Sequence, residues 1–258
     1  MGRVMLLAAG VAVLCGVAAC AAEGCGSSSD ADSGSAAMSL APVGPAVAAP
    51  DPPTGPPFVD ADRLHAALLD PTDLPAGFAE LADPEELGLP SSPVDDAPDR
   101  SGTTPSDCAD VLAPIGDQAP GSLAAAIVRY GGPGFSSVDA DAASYSEAAV
   151  GHVFTAVQEL LAGCESYSGT DADGVVVEYR VGGLDLSGVE SNTIGDASTS
   201  VRVATTSEGF TLVSDVVIGV VGSTVFAVSA TRDTPFDPAF VTELGRVQAE
   251  RLRGTLGP

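Results

Sequence analysis

The groups that could carry chemistry in this chain of 258 residues are five cysteines, two histidines and 35 acidic side chains. Neither His65 nor His152 lies at a position that suggests a catalytic partnership with a cysteine. No Gly-x-Ser-x-Gly sequence is present, and a Ser–Lys pair is impossible because the chain contains no lysine. No glycine-rich phosphate loop precedes a helix. We therefore expect no catalytic and no cofactor-binding residues, and interpret the chain as a protein without enzymatic activity.

Cys20 is the cysteine with the most specific surroundings. An apolar stretch from Val4 to Ala19 follows Arg3, and it ends in small residues directly before the thiol. This arrangement is typical of a cleaved export signal. The sequence Val-Ala-Ala-Cys over residues 17–20 also resembles the lipobox of bacterial lipoproteins, in which the thiol is diacylated and becomes the new N-terminus. We therefore expect a lipid anchor at Cys20. An ordinary cleaved leader without lipid and an uncleaved membrane anchor are the alternatives.

Two further cysteines, Cys108 and Cys164, lie on the apolar faces of predicted helices. An exported domain folds in an oxidising compartment, so a disulfide between them is the leading prediction. It would close a loop of roughly 57 residues and stabilise the fold by about 3–4 kcal/mol. Two separate buried thiols are the alternative. Cys25 has no obvious partner.

The sequence contains one weak candidate for a metal site. Asp171-Ala172-Asp173-Gly174 resembles part of a calcium loop, but Gly169 and Arg180 occupy positions where the first and last ligands belong. A turn into the next strand is the simpler interpretation. We expect no metal ligands.

The charge balance excludes one class of partner. The chain has 10 basic residues against 35 acidic ones, a net charge of −25. Such a charge repels phosphate backbones, so we expect no nucleic-acid binding. The expected partners are the membrane, reached through the lipid, and an unidentified small molecule or envelope protein.

Composition divides the chain into three parts. Residues 1–19 form the export signal. Residues 20–57 contain the lipidated cysteine and a tether of Ala, Gly, Ser and Pro that buries too little apolar surface to fold. Residues 58–258 are long enough for one domain with a sizeable core.

The elements that would position any site in this domain can be predicted from periodicity. Two strong helices span residues 146–163 and begin at Asp237-Pro238, and weaker ones span residues 59–69 and begin at Thr104-Pro105. A strand covers residues 123–130, with an extension at residues 135–138. Four further strands separated by short turns predict an antiparallel meander; they cover residues 175–181, 198–206, 210–219 and 224–231. The fold class is therefore α+β, an antiparallel sheet with helices packed on it.

The order of these features resembles the PknH-like extracellular sensor domain of actinobacteria. The matching segments are Leu68–Leu74, Asp107–Leu112 with the first cysteine and Leu160–Cys164 with the second, followed by the meander and the final helix. The resemblance implies an extracellular ligand-binding cleft. It also implies a second disulfide in many members, whereas Val213–Ser229 contains no cysteine here.

These features together favour a cell-surface lipoprotein, anchored on the outer side of the cell membrane, with a sensor-like ligand-binding domain. The alternative is a structural or protein-interaction lipoprotein of the envelope that binds no small molecule. A hydrolase acting on the envelope is the third hypothesis.

Overall fold

Long runs of alternating residues form one antiparallel sheet in the computed structural model, which describes residues 40–82, 102–171, 173–186 and 194–256. Within these residues the sheet has nine strands. They are β1 (Ala79–Glu80), β2 (Gly102–Thr104), β3 (Ala124–Gly131), β4 (Ser137–Ser144), β5 (Ser166–Thr170), β6 (Val176–Gly183), β7 (Ala197–Ser207), β8 (Phe210–Val221) and β9 (Thr224–Arg232). The strands follow the order β1-β3-β4-β9-β8-β7-β6-β5-β2, and all neighbours are antiparallel.

The predicted meander is confirmed as β6 to β9. The turn between β7 and β8 contains Glu208 and Gly209, which both have positive φ. That pair of conformations gives the two-residue turn whose twist matches antiparallel strands. The sheet is nevertheless larger than predicted, because β1, β2, β4 and β5 add strands on both sides of the meander.

Four helices accompany the sheet in the described residues: α1 (Ala61–His65), α2 (Ile115–Gln118), α3 (Val150–Gly163) and α4 (Pro238–Leu256). Helices α1 and α4 pack on one face, where Leu64, Phe226 and Leu252 are almost fully buried. Helices α2 and α3 lie on the other face with Phe154 and Val216. An antiparallel sheet with helices packed on it is therefore confirmed.

The prediction that residues 135–138 extend the strand at residues 123–130 is wrong. Residues 132–136 form the turn of a hairpin, and β4 runs back antiparallel to β3. Phe135 adopts φ 56 in this turn and its side chain is 95% exposed. The chain reverses here because Gly134 also takes a positive φ.

The predicted helix beginning at Thr104-Pro105 is also corrected. Thr104 ends strand β2, a short 3-10 helix covers Ser106–Cys108, and α-helix returns only in α2. Cys108 and Ile115 are buried as expected, but Leu112 is 49% exposed. The segment is too short and too interrupted by proline to form a continuous helix.

The domain boundary predicted at residue 58 differs from the structure, because residues 40–57 already contact the folded domain. Ala41 forms a bridge with Gly183 of β6. The Val47 N–H donates to Oε1 of Gln158 at 2.7 Å, and Nε2 of that glutamine donates back to the Val47 carbonyl at 2.9 Å. The Ser223 hydroxyl donates to the Gly55 carbonyl at 2.9 Å. Hydrogen bonds to distant residues thus hold this segment on the domain, and Val43 and Ala49 also pack against its core.

Candidate functional site

The candidate site is a cleft on the sheet face that carries α3. This helix covers only part of that face and leaves the rest of it open. Apolar side chains of β7, β8 and β9 form the floor there; they are Val201, Val203, Val216, Ile218 and Ala227. Their neighbours in sequence point to the α4 side, because side chains alternate along a strand.

One wall of the cleft is the segment between the 3-10 helix and α2. Val111, Leu112 and Pro114 line the cavity from this segment, and Leu161 lines it from α3. Leu112, which is exposed because the predicted helix does not form in this segment, is therefore part of the cleft. The enclosed space is about 270 Å³, just below the roughly 300–1,000 Å³ of typical ligand sites.

The predicted disulfide between Cys108 and Cys164 is confirmed, with a Cα–Cα distance of 5.7 Å. It joins the 3-10 helix to the C-terminal end of α3. Both cysteines are nearly fully buried. The bond therefore holds the wall segment against the helix that forms the other side of the cleft.

The polar end of the cleft is formed by β3 and β4. Asp139 and Asp141 are two residues apart on β4, so both carboxylates lie on the cleft face. Arg129 of β3 pairs directly with Asp139 across the strands, and its Nε lies 3.8 Å from a carboxylate oxygen. Ser229 of β9 is the neighbour of Asp139 on the other side.

Few groups stabilise the negative charge of the Asp141 carboxylate. Its Oδ1 accepts a hydrogen bond from the Ile115 N–H at 2.7 Å. Among the described residues no other hydrogen bond to this carboxylate is found. Burial raises the pKa of Asp141 to about 7, and the nearby Asp139 adds to the increase. Burial also raises the pKa of Asp139, although Arg129 opposes that effect.

Gln118 of α2 contributes a further acceptor to the same cavity. Its Nε2 donates to the Ala113 carbonyl at 2.6 Å, which fixes the orientation of the amide group. Its Oε1 is buried, and no hydrogen-bond partner for it exists within the described ranges. A buried acceptor without a partner is uncommon in folded proteins and is a point where a ligand donor could bind.

The cleft continues into a second hollow of about 310 Å³ beside α2. The two spaces share Pro114, Ile127 and Asp141 as lining residues. Asp141 therefore lies at the junction between them and is reachable from both.

The two histidines and Asp171 do not line this cleft. His152 is exposed on α3, and His65 lies at the end of α1 on the opposite side of the sheet. Asp171 belongs to a turn, where its Oδ1 accepts the Val175 N–H at 2.8 Å. Cys20 and Cys25 lie outside the described residues.

Asp139 and Asp141 are residues of the cleft that the sequence did not reveal. Their spacing of two would have indicated a shared face if residues 137–144 had been recognised as a strand. The Ala, Ser and Asp residues that dominate this stretch have low strand propensity, which hides it.

Within the described part of the chain, no group of three or more His, Cys, Asp or Glu side chains is arranged to hold a metal ion. None of the described helices has both the length and the hydrophobicity of a membrane span.

Solved structures that are similar to this chain include two mycobacterial proteins. The extracellular domain of PknH from Mycobacterium tuberculosis matches with a TM-score of 0.48 and 13% identity, over 76% of this chain and 97% of the other. A Mycobacterium smegmatis protein described as an Rv0999 ortholog matches with a TM-score of 0.36 and 16% identity, over 75% and 95% of the two chains. No family model matches the chain. No curated protein matches it either.

Proposed function

We propose that this chain is a lipoprotein of the cell surface whose folded domain binds a small ligand in the cleft and catalyses no reaction. The observation that carries the ligand-binding part is the cleft itself, which combines an apolar floor with a few polar groups at one end. This combination is the usual composition of a small-molecule site. The sensor role comes from the ordered sequence features that resemble the PknH-like domains.

The anchoring part of the proposal depends on Cys20. The apolar leader before it and the small residues next to the thiol support export and acylation. The disulfide between Cys108 and Cys164 supports a compartment outside the cytoplasm, because such bonds persist in oxidising surroundings. Two acyl chains suffice for stable attachment to a membrane, whereas one gives only marginal binding.

Native mass spectrometry tests ligand binding. The mature chain without its lipidated residue, residues 21–258, would be purified from its own host under gentle conditions. We expect a bound small molecule of reproducible mass. The variant Ala227→Leu fills the floor of the cleft and should lose it, whereas Ala156→Leu makes the same change on the exposed side of α3 and should retain it.

The result that counts against ligand binding is apo protein in every preparation, including extracts from cells grown in several media. In that case the protein-interaction hypothesis takes its place. Cross-linking in intact cells would then be expected to recover one envelope protein with the wild type and with Ala227→Leu alike.

Cell fractionation tests the anchor. The wild-type chain should appear in the membrane fraction, be accessible to protease added to intact cells and carry a lipid mass on its N-terminal peptide. The variant Cys20→Ala should lack the lipid. A chain found inside the cell, or wild-type protein without lipid, would contradict the proposed location.

A further inference from the structure

The two ends of the cleft differ in chemical character. Floor residues on β7 and β8, Val201, Val203, Val216 and Ile218, offer hydrocarbon surface. Asp139 and Asp141 lie on β4, at the opposite side of the cavity. In the sheet, β9 separates β4 from β8, and β3 is the other neighbour of β4. A ligand that fills the space therefore needs one apolar part and one polar part, and the two must be adjacent.

Two acceptors that line the cavity have fewer donors than they can accept. One carboxylate oxygen of Asp141 receives the Ile115 N–H, and no further donor for that carboxylate is found in the described ranges. Oε1 of Gln118 is buried without a partner among the same residues. An arriving ligand group would therefore satisfy this end best by donating hydrogen bonds.

The charged side chains that line the cavity also favour a ligand that donates hydrogen bonds. Among the described residues that line the cavity, Arg129 is the one cationic side chain, against two carboxylates. Its Nε is 3.8 Å from Asp139, so it already faces a carboxylate. An anionic ligand would have to compete with Asp139 for Arg129 and would lie beside Asp141. A cation meets an unbalanced carboxylate and gains from its poor solvation.

We infer that the cleft binds a small cationic amphiphile, with a primary ammonium or similar N–H-rich head at Asp139, Asp141 and Gln118 and an alkyl part on the valine and isoleucine floor. This inference rests on the proposed ligand-binding function and names its ligand class. An ammonium group has three donors and no acceptor, which matches the excess of acceptors.

The size of the cavity limits the alkyl part. A space of about 270 Å³ lies just below the range of roughly 300–1,000 Å³ that is typical of small-molecule sites, so it favours a short alkyl chain. We choose eight carbons as the length of the probes. Longer chains would need the adjoining hollow at Asp141.

The test uses three probes that share a tail and differ only in the head: octylammonium, octanol and octanoate. Binding to residues 21–258 would be followed by NMR shifts of isotopically labelled protein at pH 8 and 150 mM salt. Salt of this strength screens the general attraction of cations to an acidic protein. We expect octylammonium to bind about tenfold more tightly than octanol, and octanoate to bind most weakly.

Three variants locate the head group. Asp141→Asn should weaken octylammonium binding about tenfold and leave octanol within about twofold. Gln118→Leu, which removes the unpartnered acceptor, should weaken octylammonium more than octanol. Asp62→Asn removes an equal charge from α1 on the other side of the sheet, and should change neither affinity.

The outcomes distinguish a wrong head group from a cleft that does not bind these probes. If octanol or octanoate binds as tightly as octylammonium, or if Asp141→Asn has no more effect than Asp62→Asn, the cationic head is wrong while the cleft still binds ligands. If none of the three probes shifts the amides of the cleft floor, the inferred ligand class is wrong, and native mass spectrometry of the purified chain decides separately whether the cleft binds a ligand.

Discussion

Replacing Asp141 by Asn should make the domain more stable at neutral and alkaline pH, and the gain should depend on pH. In the folded protein the pKa of Asp141 is about 7, because burial disfavours its charge, whereas its ordinary value is 3.8. At pH values between these two pKa values, the carboxyl is therefore protonated in the folded state and ionised in the unfolded state. As pH rises through this window the wild type loses stability relative to the variant, and above about pH 8 the difference is constant.

The change in the free energy of unfolding follows from the difference between the folded and unfolded pKa values of Asp141. At about 1.4 kcal/mol per pH unit, that difference corresponds to about 4 kcal/mol for a carboxyl that water cannot reach. Asp141 is only partly buried and borders the open cleft. We therefore expect a change of about 2 kcal/mol. Asn can still accept the Ile115 N–H, so the variant keeps this hydrogen bond.

Urea unfolding at a series of pH values from 4.5 to about 9 measures the difference directly, with the disulfide intact. The comparison of each variant with the wild type cancels the contribution of carboxylates that do not interact with the replaced residue; Asp139 interacts with Asp141 and contributes to the difference. Asp62→Asn, which removes a charge from α1 on the other side of the sheet, is the control for the loss of one negative charge. A difference between Asp141→Asn and the wild type that stays constant with pH would refute the argument that the cleft destabilises this charge.

Three further predictions concern the scaffold. Arg202→Met should destabilise the domain by about 3 kcal/mol in denaturant unfolding, because it leaves the nearly fully buried Asp215 without its bidentate partner at 2.5 and 2.8 Å; the double replacement with Asp215→Leu should recover most of that loss. The double variant Cys108→Ala, Cys164→Ala should lose about 3–4 kcal/mol by the same measurement, and no loss would mean that the bond does not constrain the unfolded chain. Removing residues 40–57 should lower the thermal midpoint, because their hydrogen bonds to the domain disappear; an unchanged midpoint would show that this segment contributes nothing to stability.

The elements with strong periodicity could be predicted from the sequence. Helix α3 has apolar residues at helical spacing, and Val150, Phe154, Val157 and Leu161 are buried as that pattern requires. Strands β7 to β9 alternate clearly and are joined by short turns, so their order and pairing followed from local information. The disulfide could be predicted because both cysteines occupy apolar positions and the leader predicts export to an oxidising compartment.

The elements that depend on distant partners could not be predicted in the same way. Strand β4 is rich in Ala, Ser and Asp, and it is a strand because it pairs with β9, which lies 80 or more residues further along the chain. Residues 40–57 have the composition of a tether, yet the side chain of Gln158 holds Val47 in place. In both cases the hydrogen-bond partner is far away in sequence, so no local window contains the information.

The same distinction applies to the cleft. Local patterns in the sequence determined the α+β class, the meander, helices α3 and α4 and the two cysteines that form the disulfide. Only the tertiary structure decided that α3 leaves part of the sheet open, that Leu112 lines that opening and that Asp139 and Asp141 face it. The physical reason is that exposure and the pKa of a carboxyl depend on which surfaces pack against each other, and these surfaces come from segments far apart in the chain.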